Sequence, residues 1–182
     1  MKIFAFFAEG YEEIEGLTVV DILRRAGIEV EMVSVTETRE VTGAHRITVA
    51  MDKTINEIDF DEGDMIFLPG GIPGTPNLEK CEMLLNNILK YNEAGKRLAA
   101  VCAAPSIYGR LGLLEEKKAT CYPGFEEELK GAILVSDRVV TDGNITTSRG
   151  MGTTIDLGLE IVKIYKGQEF ADELGRKIQY YI

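Results

Sequence analysis

The sequence has few of the side chains that build metal sites and structural disulfides. Among its 182 residues it contains one histidine, three cysteines and no tryptophan. Cys81, Cys102 and Cys121 are odd in number and spaced too widely for a zinc ribbon or a C-x-x-C redox motif. A single histidine, His45, leaves a structural metal site with few ligands. We therefore predict no bound metal and reduced thiols.

Long hydrophobic runs and an excess of positive charge are also missing. No apolar run approaches the roughly 20 residues that a membrane-spanning helix needs. The apolar run over residues 3–7 is shorter than the core of a secretory signal, and acidic residues follow it closely. The net charge of −10 repels nucleic-acid phosphates and anionic membranes. We expect a cytoplasmic protein that binds neither nucleic acid nor membranes.

Strand-like and helix-like segments alternate along most of the chain. Strands are predicted over residues 2–7, 28–35, 64–69 and 97–101, helices over 16–26, 77–94, 103–111, 152–164 and 168–180, and hairpins over 41–50 and 138–147. This alternation predicts an α/β protein with a largely parallel sheet and helices on both faces. At this length we expect one domain, spanning residues 1–182. In such sheets the loops after the carboxyl ends of the strands meet in one crevice.

The segment that follows the fourth predicted strand begins with a cysteine. An apolar run over residues 98–101 leads into Cys102, and small residues, Pro105 and a helical pattern follow. This order predicts a sharp strand-to-helix turn with the thiol at its corner, similar to the nucleophile elbow of hydrolases. The helix dipole at such a corner favours the thiolate. The simpler alternative is a buried cysteine that packs as a small hydrophobic side chain.

Two adjacent glycines, Gly70 and Gly71, follow the strand over 64–69. Successive backbone N–H groups of such a pair can point to one place and bind an anion. Beside Cys102 they would stabilise the oxyanion that forms when sulfur attacks a carbonyl, and the N–H of Ala103 is the other natural donor. The alternative is a tight turn without a binding role. A P-loop is excluded, because no Lys-Ser/Thr pair follows at the required spacing.

The predicted loop after the first strand is acidic, with four glutamates, Glu9, Glu12, Glu13 and Glu15. Doubly wound sheets often bind nucleotide phosphates at this place, and four carboxylates would repel them. We therefore expect no NAD, FMN or mononucleotide cofactor. Most of these glutamates are expected to face solvent. One that is buried beside Cys102 would have a raised pKa, stay protonated at neutral pH and exchange a proton with the thiol.

A Cys-His-Asp triad lacks its imidazole in this sequence. In most α/β hydrolases of this type the histidine follows the cysteine along the chain. His45 lies upstream, on the predicted hairpin over 41–50, and we expect it at the surface or at an interface. The residues alone therefore favour a thiol–carboxyl pair over triad hydrolysis.

Five short motifs occur in the same order as in a known family. They are A-E-G-Y-E-E-I-E at 8–15, D-I-L-R-R-A-G at 21–27, L-P-G-G at 68–71, V-C-A-A-P at 101–105, and T-S-R-G at 147–150 followed by G-T at 152–153. With them the chain resembles the ThiJ/PfpI family over essentially its whole length, and most closely the branch of the parkinsonism-associated protein deglycase and its bacterial relatives. The resemblance implies a single class I glutamine amidotransferase-like domain, a flavodoxin-like doubly wound sheet and a homodimer.

The resemblance also implies a site. Cys102 matches the reactive nucleophile of the family, and Glu15 matches the protonated glutamate beside it. Gly70, Gly71 and Ala103 match the backbone donors around the sulfur. The implied activities, those of a hydrolase or lyase, are a cofactor-free glyoxalase III converting methylglyoxal to lactate and a protein deglycase repairing early glycation adducts. The alternative is a redox-sensing or chaperone-like stress protein that uses oxidation of the cysteine without turnover.

One position departs from the pattern of the family. Some members carry a histidine as a third site residue where this chain has Tyr122. Glu15 is then the main acid–base candidate, and Tyr122 orients the substrate or only packs. Cys121 beside it is expected to be a core residue. The protease branch carries a histidine directly after the cysteine, and Ala103 at that place argues against peptidase activity.

Overall fold

A seven-stranded sheet forms the centre of the chain in the computed structural model, which describes residues 1–181. The strands are β1 (Lys2–Phe7), β2 (Glu29–Ser34), β3 (Glu40–Thr42), β4 (Thr48–Ala50), β5 (Lys53–Thr54), β6 (Met65–Leu68), β7 (Arg97–Val101), β8 (Lys118–Ala119), β9 (Ile133–Leu134), β10 (Val139–Asp142) and β11 (Ile145–Ser148). The helices are α1 (Glu13–Arg25), α2 (Gly74–Glu79), α3 (Glu82–Glu93), α4 (Pro105–Arg110), α5 (Thr154–Lys166) and α6 (Gln168–Lys177). The predicted alternation of strands and helices is confirmed.

The strands of the large sheet follow the order β10-β11-β7-β6-β1-β2-β5. Neighbouring strands are parallel except β10 and β11, which form the hairpin predicted over 138–147. The chain runs outward from β1 to β2 and later returns to the other side of β1 with β6. The order of strands therefore reverses at β1, and α/β sheets bind ligands at such a reversal, beyond the carboxyl ends of the strands. The α/β, flavodoxin-like prediction is confirmed.

Helices cover both faces of the sheet, because its central strand is apolar on both sides. Ile3, Ala5 and Phe7 of β1 belong to a core cluster that includes side chains of α1, α5 and α6. Phe4 and Phe6 belong to a second cluster, which includes side chains of α3 and α4. Burial on two faces is typical of strands in parallel sheets. The segment that follows β1 therefore starts from a strand held on both sides.

Two helical predictions are wrong in detail. α1 begins at Glu13 rather than at residue 16, so that Glu13 and Glu15 lie in its first turn and not in a loop. The helix predicted over 77–94 is two helices, α2 and α3, which are separated at Lys80 and Cys81 because Cys81 adopts an extended backbone. No helix within residues 1–181 combines the length and the apolar character needed to cross a membrane.

The hairpin of β3 and β4, which confirms another prediction, lies against the start of α1. The Gly10 N–H donates a hydrogen bond to the Thr42 carbonyl at 2.8 Å. The Ala44 N–H donates to the Tyr11 carbonyl at 2.8 Å. These bonds attach the hairpin to the segment between β1 and α1. They fix the turn of the hairpin, residues 43–47, beside the first turn of the helix.

Candidate active site

Cys102 lies at the corner between β7 and α4. Its backbone has a φ of +64°, in the left-handed region that costs a residue with a side chain about 1–3 kcal/mol. Two backbone hydrogen bonds hold this conformation. The Cys102 N–H donates to the Ser148 carbonyl at 3.0 Å, and the Tyr122 N–H donates to the Cys102 carbonyl at 2.8 Å. The strand, the thiol corner and the helix are arranged as predicted, and Cys102 is partly exposed rather than a buried core residue.

A cavity of about 400 Å³ opens at this corner. It forms where the segments after β1, β6 and β7 meet the turn of the β3–β4 hairpin. The cavity is lined by Glu12, Glu15, His45, Gly71, Ile72, Cys102, Ala103, Tyr122, Phe125 and Met151. It therefore brings together most of the predicted site residues, namely Cys102, Glu15, Gly71, Ala103 and Tyr122.

Glu15 reaches this cavity from the first turn of α1 and is only 1% exposed. The Gly70 N–H donates to its Oε2 atom at 2.9 Å, and the Cys102 thiol donates to the same carboxylate. Burial raises the pKa of Glu15 to about 7, although these hydrogen bonds favour the ionised form. A carboxyl group with this pKa is about half protonated at neutral pH, so Glu15 can both accept and donate a proton there.

The two glycines after β6 have different contacts. The Gly70 N–H is engaged by Glu15. The Gly71 N–H and the Ala103 N–H stabilise negative charge on the Cys102 sulfur. Gly71 needs a left-handed backbone, with a φ of +98°. Gly70 needs the absence of a side chain, because a Cβ atom there would lie 2.6 Å from Cys102 Cβ and 2.6 Å from Glu15 Oε2.

Burial and the neighbouring carboxylate favour the protonated form of the Cys102 thiol. Burial, and then the negative charge of Glu15, raise the pKa of Cys102 to about 12, while the N–H groups of Ala103 and Gly71 act in the opposite direction. α4 has six residues, beginning at Pro105, so the dipole that follows the thiol is that of a short helix. Beside an ionised Glu15, the sulfur is therefore held as the thiol. The thiol needs a proton acceptor, and Glu15 is in contact with it.

The sequence model of the DJ-1/PfpI family matches residues 1–164. The chain belongs to the DJ-1/PfpI family. The matched part contains every motif that carries the resemblance seen in the sequence, from the acidic segment after β1 to the G-T pair at 152–153. The predicted family is confirmed.

Curated proteins with DJ-1 and deglycase names are similar to the chain. Protein DJ-1 homolog B of Arabidopsis thaliana is 40% identical over 176 residues, which are 96% of this chain and 40% of that protein. A deglycase of Thermococcus kodakarensis is 31% identical over 169 residues, which are 91% of this chain and 100% of that protein. The chain thus spans less than half the length of the Arabidopsis DJ-1 homologs and matches the deglycase along its full length.

Solved DJ-1 structures share the fold. Oxidized DJ-1 of Toxoplasma gondii matches with a TM-score of 0.95 at 31% identity, over 100% of this chain and 99% of that one. DJ-1beta of Drosophila melanogaster matches with a TM-score of 0.93 at 29% identity, over 98% of this chain and 97% of that one. The segments that form the cavity are therefore part of the shared DJ-1 fold.

Tyr122 lines the cavity at the position where the DJ-1/PfpI resemblance places a histidine in some members. It is 50% exposed. A Cβ atom on Gly150 would lie 3.2 Å from Tyr122 Cδ2 and 3.8 Å from Glu15 Oε1, so both side chains approach the same glycine. Cys121, the preceding residue, is buried in the core as predicted. Tyr122 therefore lies close enough to Glu15 to meet the same bound molecule.

The cavity also contains the one histidine of the chain, which the sequence predicted only at the surface or at an interface. The side chain of His45 is 67% exposed, yet it lines the cavity beside Cys102. Its Nδ1 atom lies 2.9 Å from Glu13 Oε2, and its backbone N–H donates to Glu13 Oε1 at 2.8 Å. Glu13 is 4% exposed and, of the four glutamates after β1, only Glu9 is exposed, so the expectation that most of them face solvent is wrong. A sequence signal exists in Gly43, since a Cβ atom there would lie 2.3 Å from Glu13 Oε1.

Glu13 and His45 shift each other's pKa. Burial raises the pKa of Glu13, but the His45 ring and the N–H groups of His45 and Ile47 outweigh it, so that the pKa is lowered overall. The hydrogen bond to Glu13, together with the charges of Glu12 and Glu13, raises the pKa of His45. The pair is therefore stabilised as a carboxylate and an imidazolium.

Proposed function

We propose that the chain is a cysteine-dependent enzyme of the glyoxalase or protein deglycase type, acting on methylglyoxal or on early glycation adducts. The observation that carries the proposal is the contact of the Cys102 thiol with the buried Glu15 carboxyl group in one cavity. Membership of the DJ-1/PfpI family and the similarity to a deglycase of Thermococcus kodakarensis support it.

In the first step, Cys102 adds to the aldehyde carbon of the substrate. The ionised form of Glu15, which has a pKa of about 7, takes the thiol proton as the S–C bond forms. The carbonyl electron pair moves to oxygen, where the N–H groups of Gly71 and Ala103 stabilise the charge. Glu15 then returns the proton to this oxygen, which gives a hemithioacetal.

In the second step, the hemithioacetal isomerises. Glu15 removes the proton from the former aldehyde carbon, which gives an enediolate. The hydroxyl proton passes from the oxygen on that carbon to the former ketone oxygen, and Glu15 delivers its proton to the former ketone carbon, which leaves a lactate thioester on Cys102. Water then cleaves the thioester and releases lactate and the thiol. The aldehyde carbon is oxidised while the ketone carbon is reduced, so the reaction consumes only water.

The size and lining of the cavity suit a small dicarbonyl. About 400 Å³ lies near the lower end of the range of small-molecule sites. Ile72, Phe125 and Met151 supply an apolar wall for a methyl group, while Cys102 and Glu15 supply the reactive groups. An early adduct of the same aldehyde on a protein side chain presents the same carbon to the sulfur.

The proposal is tested by measuring lactate formed from methylglyoxal. The wild-type protein should form lactate, Cys102→Ser should form none above background, and Glu15→Gln should lower kcat/KM by about 10²–10⁴-fold, the usual contribution of a general acid–base. Cys81→Ser is the matched control, since Cys81 precedes α3 and does not line this cavity. Equal rates for the wild type and Cys102→Ser would exclude the proposal.

The redox-sensing alternative has less support. A sensor cysteine reacts with peroxide as a thiolate, and its susceptibility follows its thiolate character. Burial and the charge of Glu15 raise the pKa of Cys102 to about 12, which disfavours the thiolate at neutral pH. A reaction in which Glu15 removes the thiol proton at the moment of attack does not need a standing thiolate. The homodimer and the cytoplasmic placement stay predictions.

A further inference from the structure

His45 lines the cavity of Cys102 but has no part in the steps described above. It is the only histidine in the chain. It comes from the turn of the β3–β4 hairpin, whereas the family resemblance leads one to look for an imidazole at Tyr122. The cavity therefore contains an imidazole that reaches it from a different part of the chain.

Glu13 orients this imidazole. Its Oε1 atom accepts the His45 N–H at 2.8 Å and the Ile47 N–H at 3.4 Å, and its Oε2 atom lies 2.9 Å from His45 Nδ1. The carboxylate thus binds both the turn and the ring. With Nδ1 engaged, Nε2 is the ring nitrogen left to meet a substrate. A buried carboxylate that holds Nδ1 and frees Nε2 is the arrangement by which hydrolases orient their catalytic histidine.

The cluster of Glu12, Glu13 and His45 is poorly suited to binding a metal ion. One ligand atom from each of Glu12, Glu13 and His45 lies within 4.8 Å of the others. Both oxygens of Glu13 already accept hydrogen bonds from the turn, and His45 Nδ1 takes part in one of them. An ion would have to displace these bonds and loosen the hairpin. Proton transfer at Nε2 leaves all of them in place.

We propose that His45 is a catalytic acid–base residue of the Cys102 reaction and that Glu13 is its positioning residue. This inference rests on the proposed glyoxalase-type function. As Glu15 removes the proton from the former aldehyde carbon, the His45 imidazolium protonates the ketone oxygen, which gives the enediol. As Glu15 then protonates the ketone carbon, His45 takes the hydroxyl proton from the carbon attached to sulfur, which gives the thioester. Both residues end in their starting protonation states.

The test combines rates with direct titration of the imidazole. His45→Ala should lower kcat by about 10²-fold, the lower end of the range for a general acid–base, with little change in KM. Wild-type kcat/KM should rise with pH through the pKa of Glu15 and fall through that of His45, and His45→Ala should lose the fall. Free imidazole should restore part of the rate, because the ring lies at an exposed site.

Because the chain has one histidine, its ring gives a single titrating imidazole signal in NMR. Among residues 1–181, Glu12 and Glu13 are the charged groups that act on the ring. The wild-type signal should titrate above the ordinary pKa of about 6.5, and Glu13→Gln should lower its midpoint. Arg46→Asn is the control, because it changes the charge of the same turn and because asparagine tolerates the φ of +66° found there.

The outcomes separate this inference from the function on which it rests. If wild-type protein forms no lactate, the proposed function and the inference both fail. If wild-type protein is active and His45→Ala keeps its kcat and its alkaline fall, only the inference fails. A His45→Ala variant that is slow, that keeps the alkaline fall and that imidazole does not rescue would show a structural role and would also overturn the inference. His45→Gln, which retains a polar side chain in the turn, checks that the loss does not reflect unfolding.

Discussion

Glu13 and Glu15 lie two residues apart in the first turn of α1, and both are buried, but their surroundings favour opposite protonation states. Glu13 accepts three hydrogen bonds from the β3–β4 hairpin, and its pKa is lowered. Glu15 accepts the backbone N–H groups of Gly70 and Met151 together with the thiol of Cys102, yet burial raises its pKa to about 7. Both side chains are shielded from solvent, but Glu15 lies deeper in the protein, so the larger desolvation of Glu15 and the imidazole beside Glu13 together set the opposite pKa shifts.

The helix explains how two neighbouring carboxyl groups reach such different surroundings. Residues two apart in an α-helix point about 200° apart around the axis. Glu13 therefore faces the hairpin, which supplies an imidazole and backbone donors, while Glu15 faces the ends of β6 and β7. The hairpin side needs a permanent carboxylate to hold its turn. The side facing the sheet needs a carboxyl group that gains and loses a proton near neutral pH.

The comparison is tested most strongly by Glu15→Gln, which we expect to stabilise the fold at alkaline pH. Glu15 has a pKa of about 7 when folded, against an ordinary value of 4.5 when unfolded, so the folded state binds more protons between these values. The stability of the wild type therefore falls as pH rises through this window, by about 3 kcal/mol. Glutamine removes that loss. Urea unfolding at pH 5 and pH 8 measures the difference.

The control for this prediction is Glu37→Gln, which removes one negative charge from an exposed position. It should leave the wild-type dependence on pH unchanged. Parallel pH dependence of stability in the wild type and Glu15→Gln would show that Glu15 is ionised as easily when folded as when unfolded. The claim that Glu15 and Glu13 have opposite pKa shifts would then be refuted.

Glu13→Gln should act in the opposite direction and more weakly. The amide still fills the space but loses the charge that pairs with His45 and strengthens three hydrogen bonds, so we expect a destabilisation of about 1–3 kcal/mol at pH 7. Because the pKa of Glu13 is lowered on folding, its stabilisation is present above its unfolded pKa and is lost as pH falls through its folded pKa. The two proteins should therefore approach equal stability in strong acid.

The location of this loss is as informative as its size. Amide exchange should become faster in the turn over residues 43–47, which Glu13 holds, and stay unchanged at Gly70 and Cys102. Faster exchange at both places would mean that the hairpin side and the sheet side of α1 open together. A Glu13→Gln protein as stable as the wild type at pH 7 would show that the hairpin does not depend on the charge.

The sequence predicts much of the fold and the centre of the site, because both follow from local patterns. β1 is an apolar run, and Cys102 and Gly70 each follow a buried strand. Loops that follow parallel strands meet at one edge of a sheet, so the meeting of these segments follows from topology alone. The break between α2 and α3 is not predictable in this way, because neither Lys80 nor Cys81 is a helix-breaking residue.

The rest of the site depends on contacts between distant segments. Gly43 leaves room for Glu13, but a glycine in a hairpin turn does not by itself show which segment packs there, so the pairing of His45 with Glu13 emerges only from the folded chain. The raised pKa of Cys102 has the same origin, because it reflects burial and the approach of Glu15, which outweigh the hydrogen bonds from Ala103 and Gly71. The dipole belongs to the local sequence, whereas burial is a property of the tertiary structure.

Tyr122→Phe should have the smallest effect on activity and stability of these variants. It tests whether a neighbouring hydroxyl contributes to the raised pKa of Glu15. Tyr122 approaches the same glycine as Glu15, so its hydroxyl is a candidate hydrogen-bond donor for that carboxyl group or for a molecule bound beside it. If burial alone raises the pKa of Glu15, the variant keeps the wild-type dependence of stability on pH, and kcat/KM falls by about tenfold at most, the value of one neutral hydrogen bond. A larger loss of rate, or a shift in the pH at which stability falls, would assign the hydroxyl a direct part in proton transfer and make the pKa of Glu15 depend on its partners as that of Glu13 does.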